Sequence, residues 1–474
     1  MKTRPLFQNI SPLDHRYSLS EAAVFNALSP FLSESASILV CAKAEIALIK
    51  AHLRTRNQLS PELETKLDSI SVDPEEVYAE EEITHHNIRA LVNVLKTKVP
   101  ADTAPLVHLG ATSADILDSS FAYRIKGATN TVILPLLKKL ELLLCSFTEK
   151  EAETPQIGRT HGQQAVPITL GFAFSEYVSR LGKSILEIKN RAAALKGKLA
   201  GAVGAYNATS MLTKDPEELE RLYLAELNLE PSEHSTQLVE PEYLLRLLLE
   251  FNTAFGILAN LADDLRNLQR SEIGELHEGF SNTQVGSSTM PQKRNPWNSE
   301  HVKSLWKTFS PRVMTFFMDQ ISEHQRDLTN SASQRFTAEY IMGFCMAVSR
   351  TVDIISGLGV DHTRLHENLQ RGPSIMSEPA YILLAESGVS DAHEVIRRIT
   401  LDAEENGLNF AAALSKNPDA LSRITQKLAE LGLTTKSDAL SFFENPEKYR
   451  GLAVKKTKSL AQKYRTLMED ENKW

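Results

Sequence analysis

The chain has 474 residues, longer than the ~100–200 of one ordinary domain, and its 42% hydrophobic and 24% charged content is that of a globular protein. A net charge of −8 argues against nucleic acid or an anionic membrane as the main partner. The three cysteines, Cys41, Cys145 and Cys345, lie far apart without metal-ligand spacing, so reduced thiols in a cytoplasmic protein are expected rather than a disulfide framework. Neither an N-terminal signal run nor a stretch approaching ~20 apolar residues points to secretion or a membrane span.

Residues 1–106 read as a separate block of shorter helices, closed by Pro100, the polar run Ala101-Asp102-Thr103 and Pro105. Beyond it, apolar residues recur at steps of three and four over long distances, the signature of amphipathic helices. Segments near 114–150 and 335–357 show this pattern. A stripe after Pro167 runs Leu170, Phe174, Leu181, Ile185, Ile188, Ala192, Leu195. Another begins at Pro241, a suitable first helical position, and runs Leu244, Leu248, Phe251, Phe255, Leu258, Ala262, Leu265. A further stripe follows Glu300 through Val302, Leu305, Phe309, Val313 and Phe316, with Pro311 expected to kink it. After Gly357-Leu358-Gly359 a third block of mostly short helices follows, and the charged tail from Lys455 reads as a solvated helix end. The prediction is an all-α protein with three helical domains, 1–106, 107–357 and 358–474, the middle one built on about five long helices. Leu244, Leu245, Leu247, Leu248 and Leu249 make one of these helices apolar around most of its circumference, which demands burial on all sides. One layer of helices does not provide that, so subunits are expected to associate through them.

Three strings carry chemistry. In Val107-His108-Leu109-Gly110-Ala111-Thr112-Ser113-Ala114-Asp115, adjacent hydroxyls before an acid form a helix N-cap, which also presents free amides to an anion. In Arg159-Thr160-His161-Gly162-Gln163, which precedes a long helix, the His161 imidazole is the side-chain type suited to an acid, the other reading being a structural post at a helix entrance. In residues 286–300, Gly286 frees the backbone, Ser287 and Ser288 offer hydroxyls, Lys293 and Asn295 are donors for an anionic substrate, and Glu300 adds a carboxylate. Such a loop suits closure over a carboxylated substrate.

The last string resembles the signature Gly-Ser-Ser-x-Met-Pro-x-Lys-x-Asn-Pro of the fumarase/aspartase superfamily, lyases that eliminate fumarate, and every fixed position matches. The resemblance implies that Ser287 is the catalytic base, with Lys293 supporting it and Ser288, Met290 and Asn295 on the substrate. It implies that His161, in the superfamily's Arg-Thr-His-Gly-Gln motif, is the acid, paired with Glu300. It also implies that Thr112 and Ser113 hold a substrate carboxylate.

Features along nearly the whole chain are similar to the adenylosuccinate lyase family in particular. Ser11-Pro12-Leu13-Asp14-His15-Arg16-Tyr17 places Arg16 and Tyr17 on family residues that reach the nucleotide, and Thr84-His85-His86-Asn87 places His86 on a family histidine. Gly201-Ala202-Val203-Gly204 matches a glycine-rich turn, and Thr236-Gln237 places Gln237 on a substrate-binding glutamine. Gln325-Arg326-Asp327-Leu328-Thr329-Asn330-Ser331, with Arg335, fits phosphate-binding residues Arg326, Ser331 and Arg335. Arginine gives the bidentate geometry a phosphate favours. His15, Asn87 and Gln292 depart from the family pattern. The resemblance implies a C–N lyase releasing fumarate from adenylosuccinate and from the succinylated aminoimidazole-carboxamide ribotide of purine synthesis. The all-round apolar helix and motifs spread over residues 16 to 335 predict a homotetramer with shared active sites, and no cofactor, nucleic-acid or membrane partner is expected. The alternatives are another superfamily branch, such as argininosuccinate lyase or a carboxymuconate cycloisomerase, or an inactive structural relative. A metal site is not expected, since His85 and His86 are read as pointing to different faces of a helix and no ligand cluster follows.

Overall fold

In the computed structural model, residues 4–280, 289–372, 375–434 and 438–470 are described. The architecture is all-α, as the periodicity predicts, with three short two-stranded pairings among the described residues. The long helices form where the stripes lie: Ser113–Ala128 continuing through a π-turn into Leu134–Lys150, Leu170–Ala193, Glu242–Leu268, Trp297–Phe309 and Thr337–Ser356. Pro311 ends the helix Trp297–Phe309 in a 3-10 turn, Ser310–Arg312, before the helix Val313–Met318, the expected consequence of a proline with no N–H to donate. Several readings need correction. The first block holds a 22-residue helix, Glu34–Thr55, not only short ones. The segment Pro167–Thr169 is strand rather than helix entry. The charged tail is the helix Ala453–Glu469, whose Ala453, Thr457, Ala461, Tyr464 and Met468 are buried. The lysines between them kept this stripe from being read.

The chain divides into two compact units. The first comprises residues 1–138, 183–259 and 302–350. Its core joins residues 242–259 to 337–350: Phe251 stacks on Phe344 with centroids 5.3 Å apart, and Phe255 meets the same ring at 5.6 Å. Tyr340 donates its hydroxyl to the Leu248 carbonyl at 3.0 Å and lies edge-on to Phe316. The helix Glu34–Thr55 packs on Ser113–Ala128 and on Pro216–Ala225. There Lys50, 5% exposed, is ringed by Glu64, Asp68 and Glu226 at 2.6–3.1 Å.

The second unit comprises residues 139–182, 260–301 and 351–474. The antiparallel strands Pro155–Thr160 and Gln163–Thr169 form a hairpin against which the helix His362–Gln370 packs. Phe147 and Phe174 meet at 4.5 Å, and Arg465 pairs with Glu149 at 2.7 Å. Helices between Ser377 and Glu444 enclose a separate apolar cluster that includes Leu384, Ile396, Phe410, Leu414, Ile424 and Phe442.

Two sequence expectations meet the structure unevenly. The three cysteines are free and buried, and burial pushes the Cys41 thiol up to about 11 and those of Cys145 and Cys345 to about 12. The expectation that no stretch approaches a membrane span is corrected for Glu242–Leu268, which is long and apolar enough by length and composition. Scattered polar residues such as Asn252 and Asn260 broke the apolar run in the sequence. Of its most apolar window 56% is buried within the chain, and a core helix passes the same test. In it Leu245, Leu247 and Leu248 are buried, whereas Leu244 and Leu249 remain half-buried.

Candidate active site

His161 is not at a helix entrance. The strands pair Thr160 with Gln163, leaving His161 and Gly162 as a two-residue turn with φ of +55° and +73°. Two positive φ values make the turn whose twist matches paired strands. Glycine takes that conformation without steric penalty, and histidine tolerates it better than a β-branched residue. Residues 160–164 are all exposed, so the imidazole stands at the tip of the hairpin. The hairpin is fastened lower down, where Arg159 grips the fully buried Glu275 through its two terminal guanidinium nitrogens, Nη2 at 2.5 Å and Nη1 at 3.2 Å.

The signature helix begins at Trp297 and carries Glu300 exposed in its first turn. Its free N-terminal amides are satisfied from outside. Glu278, 7% exposed, accepts from the backbone N–H of Asn298 at 3.2 Å and of Ser299 at 2.8 Å, and from the Ser299 hydroxyl at 2.6 Å. A carboxylate there also complements the positive end of the helix dipole. Gln269 ties the neighbouring turns together, accepting from the Glu278 N–H at 2.9 Å and donating to the Arg294 carbonyl at 3.1 Å. Met290 and Lys293 are exposed and Asn295 half-buried on the approach to the helix. Ser287 and Ser288 lie outside the described residues. His161, Met290, Lys293, Asn295 and Glu300 all belong to the second unit. Among the described residues, the side chains of His161 and Glu300 make no hydrogen bond with each other or with any third group.

In the first unit, Thr112 caps the helix Ser113–Ala128, and its backbone N–H donates to Asp115 at 2.8 Å, the reciprocal half of a capping box. Asp115 does more than cap. Fully buried, it also takes the Lys198 ammonium, itself fully buried, and the N–H groups of Ala200 at 3.2 Å and Gly201 at 3.3 Å. The glycine-rich turn therefore hangs on the same carboxylate as the Thr112-Ser113 pair. Tyr206 and the Leu199 N–H close the turn on Glu220, each at 2.6 Å. Gly204, at φ +77°, lies against the next segment so closely that a Cβ would sit 1.9 Å from the Ser235 carbonyl oxygen. Only glycine fits there. Two residues on, the Gln237 N–H donates to the Gln325 carbonyl at 3.1 Å, joining this segment to Arg326.

Arg326 has φ +133°, a strained conformation for a non-glycine residue, and its buried Nε has no hydrogen-bond partner among the described residues. It lines a cleft of about 100 Å³ with Asp118, Asp319, Asn330 and Gln334 over an apolar floor of Leu245, Leu248 and Phe316. Burial pushes Asp118 up to about 6 against the opposing Val239 N–H, Lys198 and Arg326, and burial likewise raises Asp319. Thr329 and the Glu323 N–H hold Asp327 down at about 2. Ser331 and Arg335 are exposed nearby in the chain. Arg16 is exposed and Tyr17 half-buried in the short helix Arg16–Ser20, whose end is moored by Glu21 to Arg350 at 2.9 Å. His85 and His86 are not on one helix. His85, at φ +52°, ends Pro74–Thr84, and exposed His86 caps Asn87–Lys98 by accepting from the Arg89 N–H at 3.3 Å. Thr112, Ser113, Gln237, Arg326, Ser331, Arg335, Arg16, Tyr17 and His86 all belong to the first unit. Among the described residues no group of His, Cys, Asp or Glu side chains could hold a metal ion. Lys198, Glu275 and Glu278 were not singled out from sequence, because each looks like an ordinary charge until its distant partner is known.

Comparison with known proteins places the chain. A family model described as Lyase matches residues 31–308, and one described as adenylosuccinate lyase C-terminal matches residues 322–435. An adenylosuccinate lyase from Pyrococcus abyssi is 32% identical over 427 residues, covering 88% of this chain and 92% of that protein. One from Archaeoglobus fulgidus is 31% identical over 452 residues, covering 94% and 96%. Among solved structures, a fumarate lyase from Mesorhizobium sp. BNC1 superposes with a TM-score of 0.77 at 20% identity, covering 92% of this chain and 97% of that one. The 3-carboxy-cis,cis-muconate lactonizing enzyme from Pseudomonas putida gives 0.76 at 22% identity, covering 94% and 99%. These two share the fold. Matching models across both halves of the sequence and relatives that span nearly all of it show that the chain belongs to the adenylosuccinate lyase family of fumarate-eliminating lyases.

Proposed function

We propose that this chain is a C–N lyase that eliminates fumarate from adenylosuccinate to give AMP, and from succinylaminoimidazole carboxamide ribotide to give the free carboxamide ribotide, in purine nucleotide synthesis. The observation that carries the reading is a complete superfamily signature at 286–296 in a chain 32% identical to a named adenylosuccinate lyase across 88% of its length. In this reading Ser287, as its alkoxide, takes the proton from the carbon beside a substrate carboxylate. Lys293 and loop amides stabilise that alkoxide. Thr112, Ser113, Ser288 and Asn295 bind the carboxylates and so stabilise the negative charge that develops there. The C–N bond breaks, and His161, charged and oriented by Glu300, protonates the departing nitrogen. Met290, Gln237, Arg16 and Tyr17 align the rest of the substrate, His86 assists within the site, and Arg326, Ser331 and Arg335 take the phosphate. No cofactor enters this scheme.

The reading extends to a cytoplasmic homotetramer with sites shared between chains, and to three helical domains at 1–106, 107–357 and 358–474. The half-buried Leu244 and Leu249, beside the buried Leu245, Leu247 and Leu248, support association. The test is spectroscopic fumarate release from adenylosuccinate beside argininosuccinate, with AMP and adenosine as competing inhibitors. Turnover of adenylosuccinate alone, with AMP binding far more tightly than adenosine, is expected. Turnover of argininosuccinate, or equal binding of AMP and adenosine, overturns the substrate assignment.

A further inference from the structure

We propose that Glu275 is a positioning residue that sets the place of the His161 imidazole, acting through a closed ring of hydrogen bonds around the base of its hairpin. The proposal rests on the assignment of His161 as the acid. Glu275 is fully buried, and its carboxylate is saturated. One oxygen accepts from Arg159 Nη2 at 2.5 Å and Asn368 Nδ2 at 2.9 Å; the other accepts from Gln156 Nε2 at 2.7 Å and Arg159 Nη1 at 3.2 Å. Its backbone is fixed as well, with its N–H on the Leu268 carbonyl at 2.9 Å and its carbonyl receiving the Asp361 N–H at 3.0 Å. Asn368, 3% exposed, closes the ring from the other side, its carbonyl accepting from Gln164 Nε2 at 3.3 Å. Arg159 and Gln164 are register partners across the hairpin, immediately below the Thr160–Gln163 pair that carries the turn. The first strand is therefore tied to the Glu275 carboxylate, and the second to the backbone carbonyl of Asn368, whose side chain holds that same carboxylate. Above that level residues 160–163 are all exposed, so the turn has little packing of its own among the described residues of this unit. A bidentate guanidinium–carboxylate grip fixes orientation as well as distance, which is what an acid aimed at a leaving nitrogen requires.

The test compares Glu275→Gln and Asn368→Ala, each alone and combined with His161→Ala, by steady-state fumarate release and, for the slow variants, single turnover with excess enzyme. Misplacement of a catalytic group by about 1 Å costs on the order of 10²-fold in rate, so kcat for Glu275→Gln should fall by that order while KM stays within a few-fold. Asn368→Ala, which keeps the carboxylate and the Arg159 grip, should lose less. In the His161→Ala background either change should alter the residual rate by no more than about twofold, because residues acting as a unit show non-additive losses. Equal losses with and without His161 mean a general structural role and overturn the proposal. Should circular dichroism show Glu275→Gln unfolded, Asn368→Ala carries the same comparison. Near-normal turnover by His161→Ala overturns the acid assignment and this inference with it. An inactive His161→Ala beside full-rate Glu275→Gln and Asn368→Ala overturns the inference alone.

Discussion

The buried pair of Asp115 and Lys198 makes an asymmetric prediction. Asp115→Ala removes four partners at once: the Lys198 ammonium and the N–H groups of Thr112, Ala200 and Gly201. Among the described residues, the fully buried ammonium then keeps only the Gly201 carbonyl at 3.1 Å. Breaking a buried pair from one side costs ~3–5 kcal/mol, and the upper end applies where backbone amides are stranded as well. Lys198→Met differs, because the carboxylate retains its three backbone donors and the thioether fills the space of the aliphatic stem. The loss is then one charge-assisted bond, ~1.5–3 kcal/mol. The double variant Asp115→Ala/Lys198→Met no longer buries an unpaired charge and should be more stable than Asp115→Ala alone. Urea unfolding midpoints at one fixed protein concentration read this order. The same variants should raise KM, because Asp115 holds the Thr112-Ser113 cap and the Gly201 turn together. Equal losses for the two single variants, or a double variant carrying their full sum, would refute the reasoning.

Other expectations follow from named groups. Burial raises the Asp118 carboxyl from 3.8 to about 6, so its contribution to stability is intact below pH ~4 and is lost as pH rises through 6. Asp118→Asn should therefore gain roughly 2–3 kcal/mol over the native chain between pH 4 and pH 8, the value of about two pKa units; thermal melts showing the same difference at both pH values would remove burial as the cause. Arg326→Ala and Arg335→Ala should each weaken AMP binding by ~1.5–3 kcal/mol and leave adenosine binding nearly unchanged, by inhibition or calorimetry. Mixing inactive His161→Ala with inactive Ser287→Ala should restore part of the activity after subunit exchange if each site draws on different chains. No recovery after exchange confirmed by mass spectrometry counts against shared sites.

The helical class was legible because its cause is local. Steps of three and four between Leu244 and Leu265, and between Leu170 and Leu195, are the imprint of one buried face, and Pro311 ended its helix for a reason visible in one residue. The hairpin was not legible. His-Gly is a weaker turn signal than Asn-Gly or Asp-Gly, and the strands on either side contain Gly158 and Pro167, residues that ordinarily argue against strands. Only the pairing of Thr160 with Gln163 shows that the histidine belongs to a turn. The break between His85 and His86 was hidden for a similar reason, since a left-handed histidine leaves no mark in composition.

Candidate site residues could be named from sequence and the groups that support them could not, and the two sets differ in where they lie. The motif residues named from sequence are mostly exposed: His161, Lys293, Glu300, Ser331 and Arg335 all face outward in the chain. The groups that hold those strings are buried and charged: Asp115 and Glu275 are fully buried, and Glu278 nearly so. A buried carboxylate survives only if donors are brought to it, and those donors come from far along the chain, as Lys198 does for Asp115 and Arg159 for Glu275. Local reading assigns such a carboxylate to solvent, because most of its kind are there. The physical requirement runs the other way once the fold is known. An exposed catalytic string has no packing of its own to fix it, so its placement depends on a saturated polar anchor at its base. Conservative changes at the anchors should therefore resemble damage to the motifs in activity, while differing from them in stability.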